Sequence, residues 1–111
     1  MVSQRDIVLL SFPFSDMKTS KVRPVIVLSN NNYNSKFDDI IVVPMTTNIQ
    51  IREHTLLITN KDLETGRLIT DSKVKVDRIF SISKSLIKLK IGEIKIETFN
   101  KIRHIIYKLI E

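Results

Sequence analysis

Apolar residues fall in short runs over most of the chain and at helical spacing near its end. "DIVLLSFPF" (6–14) is rich in β-branched and aromatic residues and predicts a strand. Pro13 places its far end at an edge or bulge, because proline has no N–H for a ladder. "SDMKTSK" (15–21) predicts a polar loop and "VRPVIVLS" (22–29) a second strand. "NNNYNSKFDD" (30–39) predicts a loop, since asparagine favours turns. "IIVVPMTT" (40–47) and "HTLLIT" (54–59) predict the third and fourth strands, and "NKDLETG" (60–66) one helical turn stopped by Gly66. Residues 67–83 supply one or two more strands, and "LIKLKIG" (86–92) a further one ending at Gly92. Ile96, Phe99, Ile102, Ile106, Leu109 and Ile110 then recur every three or four residues, the core stripe of an amphipathic helix of about four turns.

Six or seven short strands and one terminal helix make an α+β, mainly β fold. The expected architecture is one domain over residues 1–111, a small, strongly bent antiparallel sheet or barrel closed on one side by the helix. There is no βαβ alternation and no glycine-rich phosphate loop, which argues against a nucleotide-binding enzyme of either common type.

Composition narrows the chemistry. The 111 residues contain no cysteine, which removes disulfides, thiolate zinc sites and a cysteine nucleophile. Arg5 and Asp6 interrupt the N-terminus where a signal peptide needs an apolar run, and no stretch approaches the ~20 apolar residues of a membrane span. The expectation is a cytoplasmic protein with no membrane partner. Eighteen Lys and Arg against twelve Asp and Glu give +6, which suits a polyanionic partner or serves solubility alone.

The polar groups converge through strand pairing. If strands 22–29 and 40–47 form a hairpin about their joining loop, facing positions sum to about 69. Leu28 then faces Ile41, and Arg23 faces Thr46. Pro24 pushes Arg23 into extended backbone, and a guanidinium fork beside a threonine hydroxyl suits phosphate oxygens. In "KVKVD" (73–77), Val74 and Val76 point one way and Lys73, Lys75 and Asp77 the other. That polar face is a solvated edge, or part of a site if it borders Arg23. His54 and His104 stand 50 positions apart with no ligand spacing around either, so both read as structural or surface residues and no metal site is expected.

In order along the chain, "DIVLLSFPFSD", "KVRPVIVLSN", "IIVVPMTTN" and "SKVKVDRIFSIS" resemble the PemK/MazF family of toxins from bacterial toxin–antitoxin pairs. The resemblance implies an SH3-like barrel, a homodimer, and a metal-independent endoribonuclease with no cofactor that acts on single-stranded RNA. It also implies a cognate antitoxin as protein partner. The family's RP arginine falls on Arg23 and its strand-end threonine on Thr46, with Thr47 beside it as a further substrate contact. Its later basic and acidic pair falls on Lys75 and Asp77. Lys18, Lys21 and Arg52 are expected to follow the RNA backbone. Tyr33 or Phe37 either stacks on a base or anchors its own loop. The chain departs from the family pattern at Arg5 (usually glycine), Lys18 (a glutamate in several members), Lys75 (arginine) and Arg78 (glutamine). Two other readings fit the same strands and charge: a non-catalytic SH3-like nucleic-acid-binding module, and a barrel toxin acting on a protein target such as gyrase.

Overall fold

β-Branched runs set the frame. In the computed structural model, which describes residues 1–12, 21–50 and 52–111, β1 (Asp6–Phe12), β2 (Lys21–Val27) and β3 (Asp39–Thr46) pair antiparallel in sequence order. β4 (Thr55–Ile58), β5 (Leu63–Gly66), β6 (Ser72–Lys75), β7 (Phe80–Ser83) and β8 (Ile87–Ile94) complete an eight-stranded sheet. Its order is β4-β6-β3-β2-β1-β8-β5, with β7 also paired to β3. The sheet curls into a half-barrel, and helix α2 (Ile96–Ile110) follows its last strand. Among the described residues, no helix is long and apolar enough to cross a membrane.

β1, β2 and β3 are apolar runs because both of their faces are covered. Ile7, Ile26, Val43 and Met45 join one cluster with Val74, Val76, Phe99 and Ile102, beneath α2. Val8, Leu10, Val25, Val27, Ile40 and Val42 form a second cluster, closed by Phe80, Ile82, Leu86 and Ile87. The segment from β7 through the short 3-10 turn Lys84–Leu86 therefore lids the opposite face of the sheet.

Four expectations need correction. Residues 31–36 form a helix, α1 (Asn31–Lys36), where a loop was expected. The Asn30 side chain accepts a hydrogen bond from the Tyr33 amide at 2.8 Å, an N-cap, and buried Asn34 is bonded to Ser29 through both side-chain atoms. Ser29 Oγ in turn accepts from the Ile41 amide at 3.0 Å, so the asparagines lock the β2–β3 connection. Asn34→Ala should strand the Ser29 carbonyl and cost about 1–3 kcal/mol. Urea titration should show a lower midpoint with an unchanged slope.

Secondly, only Asn60–Asp62 of the predicted helical turn is 3-10. Leu63–Gly66 is a strand, and residues 67–70 are not. Thirdly, β8 runs through Gly92 to Ile94. Gly92 lies opposite Gly66, whose φ of 83° is left-handed and where a Cβ would stand 2.2 Å from the Ile91 carbonyl oxygen. The glycines serve this close approach rather than ending a strand. Fourthly, the terminal stripe is core only in part. Phe99 and Ile102 are buried and Ile106 packs against them, but Ile96, Leu109 and Ile110 are exposed in the single chain. Of the first predicted strand, Pro13 and Phe14 lie outside the described residues.

Arg5, where the resemblance implies a glycine, has a φ of 79°. Left-handed backbone costs an L-residue roughly 1–2 kcal/mol. Arg5 offsets it with three hydrogen bonds: its amide to the Val27 carbonyl, its carbonyl from the Ile94 amide, and Nη1 to the Ile94 carbonyl at 3.0 Å.

Candidate active site

The β2–β3 register puts Val25 opposite Pro44, Ile26 opposite Val43 and Val27 opposite Val42. The paired rows end at Val25 and Pro44, and two residues further along the two strands stand Arg23 and Thr46. Directly opposed residues share a face, so Arg23 continues the row of Val25 and Val27, and Thr46 the row of Val42 and Pro44. On this face the second apolar cluster ends and polar groups begin.

The other edge of β3 changes partner here. Ile40 to Val42 pair with β7, and Met45 and Thr46 pair with Val74 and Lys73 of β6. Val43 and Pro44 fall between the two ladders, a place that suits a residue with no N–H to donate. The chain crosses the gap through a tight turn closed by the Arg78 amide on the Lys75 carbonyl at 3.1 Å. The result is a cavity of about 610 Å³ lined by Arg23, Pro44, Lys75, Asp77, Arg78, Ile79 and Phe80.

Three residues proposed from the sequence thus meet in one cavity: Arg23, Lys75 and Asp77. Thr46 is one ladder row beyond the lining, on the same face, and its Oγ1 accepts a hydrogen bond from the Asn48 amide at 3.2 Å. Arg52 reaches Asp77 with Nη2 3.9 Å from the carboxylate, an exposed and therefore weak pair. Arg23 and Lys75 bring positive charge to the cavity, Arg78 adds to it, and Asp77 is the carboxylate among them.

Other expected contacts lie elsewhere. Thr47 alternates to the opposite face and lines a separate, mostly apolar cavity of about 410 Å³ with Leu9, Arg67, Leu68, Ile69, Thr70, Ser72 and Ile91. Tyr33 sits on α1, at the far end of the β2–β3 hairpin from Arg23, with its ring 4.7 Å from that of Phe37. Lys21 begins β2, exposed, two residues before Arg23. Lys18 is outside the described residues. His54 and His104 are both exposed, and among the described residues no group of three His, Asp or Glu side chains is placed to hold a metal.

Two residues named from the sequence were given no role at the site. Arg78 enters the cavity through the turn after β6, which two-residue alternation does not describe. Lys73 lies directly opposite Thr46 yet is only 6% exposed. A lysine amid valines reads as solvated, and the loop that covers it is distant in sequence.

Known proteins share this architecture. A mycobacterial endoribonuclease solved in complex with its cognate antitoxin superposes with a TM-score of 0.77 at 20% identity, over 97% of this chain and 93% of that one. MazF in a MazE–MazF complex from Deinococcus radiodurans gives 0.80 at 18% identity, over 97% and 94%. The Mycobacterium tuberculosis toxin MazF-mt6 gives 0.74 at 19% identity, over 92% of each chain. At these identities the likeness establishes the fold. No curated protein matches the sequence significantly. The family model of PemK-like, MazF-like toxins of type II toxin–antitoxin systems matches residues 3–110, nearly the whole chain. This chain belongs to that toxin family.

Proposed function

We propose that the chain is an endoribonuclease toxin that cuts single-stranded RNA without a metal, acts as a homodimer and is neutralised by a cognate antitoxin. The observation that carries this reading is the grouping of Arg23, Lys75 and Asp77 around one open cavity, with Thr46 next to it on the same face. The RNA's own 2′-hydroxyl is the nucleophile. It attacks the adjacent phosphorus as the bond to the 5′ oxygen breaks, leaving a 2′,3′-cyclic phosphate and a 5′-hydroxyl. Asp77 takes the 2′ proton, and Lys75 gives one to the departing oxygen or serves as a second cation. Arg23 neutralises charge growing on the non-bridging oxygens, and Thr46 holds one of them in line. The +6 charge draws the polyanion in. An acidic, initially disordered antitoxin segment would meet the same basic cavity and occlude it.

The test is incubation with mixed RNA in EDTA, followed by mapping of the cut ends. Discrete cuts bearing cyclic phosphate and 5′-hydroxyl ends are expected. RNA bound in a salt-sensitive way but left whole would instead mark a binding module.

A further inference from the structure

Lys73 is buried, directly opposite Thr46 in the β3–β6 ladder, where facing Cα atoms are about 4.5–5.5 Å apart. Its Nζ donates to the Gln50 carbonyl at 2.5 Å. The Gln50 amide donates to Asn48 Oδ1 at 3.3 Å, and the Asn48 amide donates to Thr46 Oγ1 at 3.2 Å. These three bonds and the ladder pairing make a circuit: out from the Thr46 hydroxyl, through residues 48 and 50 to Lys73, which faces Thr46 across the ladder. An alcohol oxygen that accepts from Asn48 keeps its own proton free for another acceptor. The circuit thus presents Thr46 as a donor to an anionic oxygen.

We infer that Lys73 is a positioning residue, acting on the reaction through the residue 47–50 loop and the Thr46 hydroxyl. This rests on the proposed cleavage at Arg23 and Thr46. The residue is 6% exposed and its ammonium is held by the Gln50 carbonyl, so it serves to anchor the loop whose amide holds the Thr46 hydroxyl rather than to touch RNA. Small displacements of a group that aligns the reacting atoms are costly, up to about 100-fold in rate.

Lys73→Met keeps the apolar stem and removes the anchor. Its kcat should fall about 10- to 100-fold, with KM little changed, because an interaction used in the transition state is lost rather than uniform binding. Asn48→Ala cuts the same circuit at an exposed position and serves if Lys73→Met does not fold. Each change should add nothing in a Thr46→Val background. Amide hydrogen exchange at Asn48 and Gln50 should accelerate in Lys73→Met, a readout that needs no RNA. Parental kcat in both single variants, or losses that multiply with that of Thr46→Val, would overturn the role of Lys73. If the parental protein leaves RNA whole, the proposed activity falls and the catalytic role of the circuit with it. Unchanged exchange in Lys73→Met would remove the circuit itself.

Discussion

Arg23→Ala is expected to lower the rate of RNA cleavage by roughly 10²–10³ while leaving the fold in place. Arg23 is exposed at the end of β2, and its ladder contact with Leu10 uses backbone atoms that alanine retains. Neither apolar cluster includes it. Arg23 lines the cavity together with Lys75 and Arg78, so a phosphate bound there would meet more than one cation. Lys75 and Arg78 would still draw RNA in, so the loss should fall more on kcat than on binding. Arg23→Lys should recover only part of the rate, because an ammonium lacks the two-pronged geometry of a guanidinium. Single-turnover cleavage of a short RNA, with circular dichroism as the check on folding, measures both. An Arg23→Ala protein that cuts at the parental rate would refute the assignment of this cavity as the active site.

The largest expected effect on stability is at Phe99. Phe99→Ala should cost about 3–5 kcal/mol, a large share of the ~5–15 kcal/mol that holds a domain together. The ring is 2% exposed and sits in the cluster shared by β1, β2, β3, β6 and α2. Arg103 lies over its outer face at 4.8 Å, so the ring also supports a cation–π contact on the helix surface. Alanine there leaves a cavity between helix and sheet that strands joined by ladder bonds cannot readily close. Urea unfolding should show a midpoint far below the parental one. A cost under about 1 kcal/mol would mean that α2 contributes little to the core. The comparison with Arg23→Ala separates the two roles, since one change should remove activity from a stable protein and the other stability from an intact site.

Much of the architecture was legible in the residues. The runs 6–12, 22–27 and 40–46 are too apolar and too β-branched to be anything but strands, and the terminal helix declares its period. The register of β2 on β3 followed from where their connection is centred. The connection's own conformation did not, because α1 depends on Ser29, Ile41 and the Asn34 carbonyl held by Lys84, 50 residues away. The strand at 63–66 was hidden for a similar reason: "LETG" is polar outward and is held by backbone pairing with β8.

What the chain determined alone was local and periodic: which runs extend, which coil, and which residues of one strand face the next, since an antiparallel pair joined by one loop has few registers open to it. Only the tertiary structure decided what gathers around the candidate-site face of β3. The expected hairpin set Arg23 toward Thr46, but no local pattern put Lys75, Asp77 and Arg78 in one cavity with Arg23, because that needs β6 and β7 to dock along the other edge of β3. The same docking opens the cavity at Pro44 and buries Lys73 beneath a loop more than 20 residues away in sequence. Burial and convergence depend on contacts between distant segments, and no local pattern encodes those.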